Sequence, residues 1–373
     1  MFNFLRSDLT DLKSYTSHLE DKVVLNPDRL DTNESPYDFP SELKEELARV
    51  YRDDLLSNRY PDGGHGELKE AIARYVSESA NGQPITAANI SIGNGSDELI
   101  RSLLIATCLN REGAVLVANP TFSMYSILAK TMSIPCVVTE RLPDTFEIDL
   151  ERAQAAIAAT QNPPIRAIFV VHPNSPTANA LTSREIEWLK GISKDILVVI
   201  DEAYFEFSQT SLVEELAQYP NWTILRTLSK AFRLAALRVG YAIAYPKVIE
   251  TLEKVRLPYN ISSFSLAAAQ LAMERRELLL NPISQLLTER DRLLAELAKM
   301  PHLKIWPSQA NFIYISSTRS DSEDKGMKSL AEQLKARGTL VRYSGSGLRI
   351  TVGTLGENQH TLERLHEILT GDW

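Results

Sequence analysis

A lysine and an aspartate each follow an apolar run of this chain, and both residue types can do chemistry there. Asp201 closes the run 195–200, and Lys230 lies shortly after the apolar residues 222–225. Burial opposes the charge of an ammonium group, and a lysine that loses its charge easily is a nucleophile suited to Schiff-base formation. A carboxylate at the end of a buried strand needs a cationic partner, for example the protonated nitrogen of a heteroaromatic ring. This pairing is the one that pyridoxal phosphate chemistry uses.

Each of the two residues also has a simpler interpretation. A lone lysine at a strand end commonly extends its charged end to solvent. An aspartate at such a place can cap a helix or pair with an arginine. The presence of both residues at the ends of consecutive runs favours the cofactor interpretation.

The glycine-containing stretch 91–98 (SIGNGSDE) predicts an anion site. Gly95 lets the backbone approach an anion closely, and Ser96 and Asp97 begin a helix whose free amides face that anion. The stretch lacks the third glycine of the dinucleotide-binding fingerprint, which argues against a dehydrogenase.

Two residues near the lysine in the chain could complete the anion site. Ser229 offers a hydroxyl group and Arg238 offers a guanidinium group, which donates a pair of parallel hydrogen bonds to phosphate. Arg238 could instead be a surface ion-pair residue.

The turn 172–177 (HPNSPT) follows another buried strand candidate. Its two prolines make it rigid, and Asn174 could donate a hydrogen bond to a phenolate oxygen on a bound ring. Taken by itself, the motif is more often a plain proline turn.

Strand-like and helix-like segments alternate from about residue 65 to 250. The apolar runs are continuous, as expected of strands covered on both faces. The predicted strands are 114–118, 134–139, 167–171, 196–200, 223–225 and 239–245. The predicted helices are 67–79, 97–109, 122–132, 150–160 and 182–192, the last with a capping-type entry at 182–185. This alternation predicts an α/β domain with a mostly parallel sheet.

The pattern changes after about residue 262. Long helices at 265–276 and 281–299 precede short strands at 303–306, 312–315 and 348–352 and a closing helix at 359–369. We therefore predict an N-terminal arm (1–45), a large α/β domain (46–262) and a small α+β domain (263–373).

Composition limits the classes of partner. Of 373 residues, 44% are hydrophobic and 24% are charged, which is typical of a globular protein. The net charge of −8 argues against nucleic acid and against an acidic membrane surface. Cys108 and Cys136 show no metal-ligand spacing and provide no disulfide framework, which favours a reducing cytoplasm. No apolar run approaches the length of about 18 residues that a spanning helix needs, and the N-terminus lacks a signal-peptide pattern.

At these residues the sequence resembles the fold-type I pyridoxal phosphate aminotransferases, and within them the histidinol-phosphate aminotransferases. The resemblance extends over nearly the whole chain, in matching order and approximate spacing. The segments that show it are TNESPY (32–37), RYPD (59–62), GNGSDE (93–98), PTFSMY (120–125), DEAY (201–204), SKAF (229–232) and LRITVG (348–353). The fold that it implies is a large domain with a mostly parallel, seven-stranded type of sheet covered by helices, plus a smaller α+β domain.

The resemblance implies catalytic roles around the ring of pyridoxal 5'-phosphate. Lys230 would carry the Schiff base and later move the proton at the substrate carbon, and Asp201 would pair with the ring nitrogen. Tyr204 and Asn174 would bond the ring oxygen, and Phe122 would stack on the ring face. Phe122 and Tyr204 could instead be core residues.

The resemblance also implies roles for phosphate and substrate residues. The residues that would bind the cofactor phosphate are Gly95, Ser96, Asp97, Ser229 and Arg238, joined by Tyr60 of the other subunit of a homodimer. The residues that would bind substrate are Asn33, Tyr37, Arg342 and Arg349, with Arg349 on the carboxylate of glutamate or 2-oxoglutarate. Tyr37 could be a lid or a plain arm residue, Arg342 could bind substrate phosphate or solvate a strand edge, and Tyr60 could be an ordinary interface tyrosine.

The sequence departs from the superfamily at the turn that usually reads Asn-Pro-Thr-Gly. Here the turn is Ser175-Pro176-Thr177-Ala178. The departure leaves open which side chain reaches the ring oxygen. Alanine in place of glycine at 178 requires a backbone angle compatible with a β-carbon.

The implied activity is amino transfer between glutamate or 2-oxoglutarate and histidinol phosphate or imidazole-acetol phosphate, in histidine biosynthesis. The partners would be a small-molecule amino donor and a phosphorylated keto substrate. Threonine-phosphate decarboxylases and aromatic amino-acid aminotransferases share the fold and the motifs and are the alternatives. A non-catalytic protein that keeps the fold would be expected to lack Lys230 or Asp201, and both are present.

Overall fold

The computed structural model of this chain describes residues 4–9, 26–318 and 323–371, with no side-chain description for 323–325. Within these residues the strands are β1 (Asp28–Arg29), β2 (Ile90–Asn94), β3 (Ala114–Asn119), β4 (Cys136–Glu140), β5 (Ile165–Val171), β6 (Leu197–Asp201), β7 (Trp222–Thr227), β8 (Val239–Ala244), β9 (Leu303–Ile305), β10 (Phe312–Ser317), β11 (Thr339–Leu340), β12 (Arg342–Ser344) and β13 (Gly347–Thr351).

The helices of the same residues surround these strands. They are α1 (Ser41–Asp53), α2 (Gly66–Ser77), α3 (Gly95–Cys108), α4 (Met124–Thr131), α5 (Leu150–Ala159), α6 (Ser183–Lys190), α7 (Phe205–Ser208), α8 (Pro246–Val255), α9 (Ser263–Glu274), α10 (Arg276–Leu280), α11 (Ile283–Leu297), α12 (Glu323–Ala336) and α13 (Leu355–Thr370). The predicted capping-type entry is present, because Thr182 and Glu185 form a capping box at the start of α6.

The central sheet has seven strands in the order β2-β8-β7-β6-β5-β3-β4. Strand β8 runs antiparallel to both of its neighbours, and the remaining pairs are parallel. All residues of β7 and β8 are buried, as their continuous apolar patterns predict. The predicted α/β class with a mostly parallel sheet is confirmed.

Strand β2 was not predicted as a strand, because its sequence, ISIGN, contains a glycine and ends on a turn-forming asparagine. Pairing with β8 from Ile90 to Asn94 overrides that weak local signal. Five helices were also missing from the prediction: α1, α7, α8, α10 and α12.

Two apolar cores cover the faces of the central sheet, and a third fills the small domain around the antiparallel sheet β12-β13-β10-β9. Helices α9 and α10 belong to the first core, through residues such as Ala268 and Leu279. After residue 262, the first buried member of the small-domain core is Leu293 in α11. The first core therefore extends past residue 262, and the domain boundary placed there remains a prediction.

The arm connects the domains before α1 begins. Strand β1 pairs in parallel with β11, and Leu30 is buried in the small-domain core. Residues 31–34 then run toward the carboxyl ends of the central strands. Of the arm's 45 predicted residues, 1–3 and 10–25 lie outside the described part of the chain.

None of the helices in residues 4–9, 26–318 and 323–371 combines the length and the apolar character needed to span a bilayer.

Candidate active site

A cavity of about 390 Å³ lies at the carboxyl ends of β6 and β7, where open α/β sheets bind ligands. Both domains and the arm contribute to its wall. The residues that line it are Thr32, Glu34, Ser96, Asp97, Phe122, Met124, Val171, Ser175, Asp201, Ala203, Tyr204, Thr227, Ser229, Lys230, Ala235, Arg238 and Arg349. The structure thus brings the predicted lysine and aspartate to one cavity.

Lys230 is half-buried, and its Nζ donates a hydrogen bond to the carbonyl oxygen of Thr32 at 2.8 Å. Burial is the main reason that the pKa of its amine falls to about 8. The positive charge of Arg349 lowers this pKa further, as does Arg238, whereas Glu34 opposes them. About one tenth of the amine is therefore uncharged at pH 7, far more than for a lysine with the ordinary pKa of 10.5, and the uncharged form is the nucleophile.

We expect the reaction of the apoprotein with pyridoxal phosphate to follow this pKa. The neutral amine is the nucleophile, so the rate should rise with pH and level off above about 8. Arg349→Met removes a positive charge that disfavours the ammonium form, and should raise the midpoint by about half a unit or more. The measurement is stopped-flow visible absorbance across a pH series. Arg342→Met, on the adjacent strand, is the control, and an equal shift in both variants would contradict this assignment.

Asp201 is a buried carboxyl group, 3% exposed, at the end of β6. Its Oδ2 accepts a hydrogen bond from the Tyr125 hydroxyl at 2.7 Å, and its Oδ1 accepts one from the amide of Ala203 at 3.1 Å. Burial raises the pKa of Asp201 to about 6 against these hydrogen bonds, and the neighbouring acids Asp97 and Glu202 raise it further. A cation placed beside Asp201 would stabilise its buried negative charge, so the site suits a protonated ring nitrogen.

Tyr125 is a site residue for which the sequence reasoning assigned no role. It lies three positions after Phe122, where α4 begins, and packs edge-on against that ring with centroids 5.5 Å apart. The predicted helix 122–132 would have placed these two residues on one face, although α4 itself begins only at Met124. Phe122 lines the cavity, and its stacking on the ring face remains a prediction.

An anion cradle lies at the start of α3. Gly95 has φ 70°, and a β-carbon there would collide with the guanidinium of Arg238. Arg238 donates to Ser229 Oγ at 3.2 Å and to Asp97 Oδ2 at 3.3 Å. Ser96 lines the same cavity, in the first turn of α3, where free amides and the helix dipole favour an anion.

The cradle fits a phosphate group, since it combines a guanidinium, a hydroxyl and helix amides. Its shape depends on Gly240 of β8, where a β-carbon would lie 2.5 Å from the backbone nitrogen of Ser96. The donors and the glycine packing therefore match the phosphate of pyridoxal phosphate.

Gly240→Ala should weaken pyridoxal phosphate binding by about 10- to 100-fold, since overpacking against rigid backbone costs about 1–3 kcal/mol. The added methyl group would push the first turn of α3 away from the anion. Fluorescence titration of the apoprotein measures the Kd. Gly356→Ala is the matched control, because a β-carbon at Gly356 meets nothing within 4 Å. Unchanged affinity in Gly240→Ala would contradict the cradle.

The prediction for Asn174 needs correction. Its side chain is 1% exposed and makes four hydrogen bonds behind the cavity wall. Oδ1 accepts from Thr121 at 3.0 Å and from Arg141 at 3.1 Å, while Nδ2 donates to the carbonyl of Pro120 at 3.0 Å and to Thr177 at 2.6 Å. With its acceptor and both donor hydrogens in use, Asn174 holds the turn together and lies outside the cavity lining.

Ser175 takes the cavity-facing position of this turn instead. Its hydroxyl accepts a hydrogen bond from Arg349 at 3.1 Å. Ala178 has φ 64°, in the left-handed region, so the expectation that alanine would avoid a glycine-type angle is wrong. Its amide bonds the Asn174 carbonyl at 2.7 Å, and such contacts offset a cost of about 1–2 kcal/mol.

Tyr204 lines the cavity, and burial raises the pKa of its hydroxyl. Its bond to the ring oxygen remains a prediction. Asn33, predicted to bind substrate, lies behind it and donates from Nδ2 to the Tyr204 hydroxyl at 2.9 Å. Asn33 is 1% exposed, so its contact is with Tyr204 and not with the cavity.

Arg349 projects from β13 into the cavity and donates to the carbonyl of Asp31 as well as to Ser175. Arg342 lies opposite it in β12, outside the cavity lining described above. Tyr37 lies beside Arg233, whose guanidinium carbon is 5.7 Å from the ring centroid, and it too lies outside that lining. Direct substrate roles for Arg342 and Tyr37 remain predictions.

Tyr60 is 81% exposed and stacks on Tyr259 with centroids 4.6 Å apart. It lines a separate surface groove of about 870 Å³. Its predicted contact with the phosphate depends on a second subunit and remains a prediction.

A buried amine, a carboxylate for a ring nitrogen, an aromatic wall and an anion cradle together define a pyridoxal phosphate enzyme of the aminotransferase class. The family model for aminotransferases of class I and II matches residues 28–365. The chain belongs to this family, whose members transfer amino groups with pyridoxal phosphate.

Relatives of high similarity cover the whole chain. A protein of Trichodesmium erythraeum named histidinol-phosphate aminotransferase is 58% identical over 375 residues, covering 99% of this chain and 100% of the relative. One of the same name from Synechococcus elongatus is 52% identical over 371 residues, covering 99% and 98%. The fold matches a crystal structure of histidinol-phosphate aminotransferase from Sinorhizobium meliloti in complex with pyridoxal-5'-phosphate, with TM-score 0.84, 21% identity and coverage of 99% and 98%.

Proposed function

We propose that this chain transfers the amino group of glutamate to imidazole-acetol phosphate, yielding 2-oxoglutarate and histidinol phosphate in histidine biosynthesis. The observation that supports it best is the 58% identity, over 99% of the chain, to a relative bearing the corresponding name. The cavity supplies the chemistry that the reaction needs, a neutral amine and a cation-binding carboxylate.

The residues that would hold pyridoxal phosphate come from three elements. Asp201 would bind the ring nitrogen, Tyr204 the ring oxygen, and Ser229 with Arg238 and the first turn of α3 the phosphate. When bound, the cofactor supplies an electron-withdrawing ring that stabilises negative charge on the substrate's α-carbon. Ser175 faces the same space and is a second candidate for the ring oxygen.

The chain's own groups would bind the substrate and move its proton. Arg349 presents two donors to the carboxylate of glutamate in a fork geometry. The amine of Lys230, whose lowered pKa makes the neutral form accessible near neutral pH, would take the proton from the substrate's α-carbon and later return it to complete the amino transfer. Arg349 thus serves twice, since its charge also lowers the pKa of Lys230.

A three-substrate assay tests the proposal. Purified protein is incubated with 2-oxoglutarate and with histidinol phosphate, threonine phosphate or phenylalanine. We expect glutamate formation to be fastest with histidinol phosphate. Release of carbon dioxide from threonine phosphate would identify a decarboxylase, and preference for phenylalanine would identify an aromatic aminotransferase; either result would overturn the proposed substrate.

We also propose a homodimer in which Tyr60 reaches the partner's cofactor phosphate. Exposed apolar side chains beside Tyr60 support this: Leu56 lines the same groove and is 66% exposed, and Tyr259, which stacks on Tyr60, is 47% exposed. Sedimentation equilibrium tests it, and a monomer at micromolar concentration would contradict it.

A cytoplasmic location is proposed from the free thiols of Cys108 and Cys136, and cell fractionation would test it.

A further inference from the structure

The hydroxyl of Tyr204 is held by a chain of hydrogen bonds with a defined direction. Asn33 Nδ2 donates to the Tyr204 oxygen at 2.9 Å. On its other side, Asn33 Oδ1 accepts from Thr351 Oγ1 at 3.1 Å, and the Thr351 oxygen accepts from the Asn33 amide at 3.0 Å. Asn33 and Thr351 are each 1% exposed, so water has little access to these bonds.

The donors and acceptors can be assigned along this chain. The single proton of the Thr351 hydroxyl goes to Asn33 Oδ1, which fixes the orientation of the amide. The amide nitrogen must then face Tyr204 and donate to it. The Tyr204 oxygen thereby accepts, and its own proton is left to donate elsewhere. Tyr204 and its other hydrogen-bond partner, Ser175, both line the cavity, so that proton points to the cavity side and is available to a group bound there.

We infer that Asn33 and Thr351 are positioning residues that make Tyr204 donate its proton into the cavity, to the ring oxygen of the cofactor. The inference rests on the proposed cofactor chemistry and goes beyond it, because neither residue touches the cavity. A hydrogen bond donated to the ring oxygen stabilises negative charge there. It therefore lowers the pH at which the bound cofactor loses its proton.

This arrangement requires the arm and the small domain to be docked. Asn33 sits in the arm with φ 56°, a left-handed angle that asparagine tolerates better than most residues. Its carbonyl accepts from Asn311 Nδ2 at 3.1 Å. Thr351 lies on β13 two residues after Arg349, on the same face of the strand. The strand that supplies the substrate-carboxylate ligand therefore also orients Tyr204.

The test is the pH midpoint of the visible absorption band of the holoenzyme, which reports the cofactor's proton. Asn33→Asp keeps the side-chain size but offers two acceptors, so the Tyr204 proton turns away from the ring. We expect the midpoint to rise by about one to two pH units, the worth of a charge-assisted hydrogen bond. The charged groups that face Tyr204, Arg349 and Asp201, are unchanged in this variant.

A double-variant comparison separates the hydrogen bond from the added charge. With Tyr204→Phe present, the hydroxyl is gone, so Asn33→Asp should raise the midpoint much less than it does alone. An equal rise in both backgrounds would overturn the inference, since it would show a plain charge effect.

If Asn33→Asp does not fold, two uncharged substitutions of Thr351 test the inference independently. Thr351→Val removes the hydroxyl that orients the amide and should raise the midpoint, whereas Thr351→Ser keeps the hydroxyl and should restore it. Equal midpoints for the two variants would overturn the inference. If the wild-type protein binds pyridoxal phosphate and transfers amino groups, such a result leaves the proposed function standing. A wild-type protein that forms no visible band would overturn both.

Discussion

Lys230→Ala is expected to lower kcat for amino transfer by about 10⁴- to 10⁶-fold, the range found when a nucleophile or general base is removed. Lys230 is half-buried at the cavity wall, and its amine has a pKa of about 8. Alanine leaves the phosphate cradle intact but supplies neither the Schiff-base nitrogen nor the proton carrier. Steady-state glutamate formation from histidinol phosphate and 2-oxoglutarate measures the loss.

A second readout is independent of turnover. Borohydride reduction followed by mass spectrometry should find the cofactor attached to wild-type Lys230 and to no residue of the variant. Lys247→Ala is the matched control, because Lys247 on α8 is 74% exposed and should change kcat by no more than about twofold. Near-normal turnover in Lys230→Ala would remove the catalytic assignment.

Asp201→Asn should reduce kcat/KM by about 10²- to 10⁴-fold. The variant keeps the shape of the side chain but removes the charge that would hold the ring nitrogen protonated. Loss of one partner of a buried ion pair costs about 3–5 kcal/mol, which corresponds to that factor in rate. Steady-state kinetics with both substrates measures the change.

The melting temperature of the apoprotein distinguishes loss of the Asp201 charge from misfolding as the cause of lower activity. Burial raises the pKa of Asp201 to about 6, above its ordinary value, so the ionised carboxylate costs apoprotein stability as pH rises through that range. Apo Asp201→Asn should therefore melt no lower than the apo wild type at neutral pH. Asp195→Asn, an exposed carboxylate just before β6, should stay within about twofold of wild-type activity. A fall in activity matched by a lower melting temperature would point to a structural role for Asp201.

Most strands of the central sheet could be predicted from the sequence because they are buried on both faces. Continuous apolar runs predicted β3, β5, β6, β7 and β8 to within a few residues. The antiparallel direction of β8 leaves no trace in its own sequence. A hint lies before it, since the connection 228–238 is too short to contain a crossover helix of the usual length.

In the turn at 172–178, the direction of each side chain could not be predicted from the local sequence. The sequence indicated a rigid turn at the site, but which side chain faces the cavity depends on the path of the backbone. Asn174 points inward to Thr121 and Arg141, and Ser175 points to the cavity. These partners lie more than 30 positions away, so no local pattern could have assigned them.

The amino-acid sequence by itself determined the reactive pair, Lys230 and Asp201, because a charged residue ending a buried apolar strand stands out within a few positions of the chain. It also determined the anion cradle, because glycines before a helix are a local signal. Only the tertiary structure decided the contacts that orient these groups: Tyr125 on Asp201, and Asn33 on Tyr204. Hydrogen bonds are directional and short, and residues 76 or 171 positions apart meet only after the domains and the arm have packed.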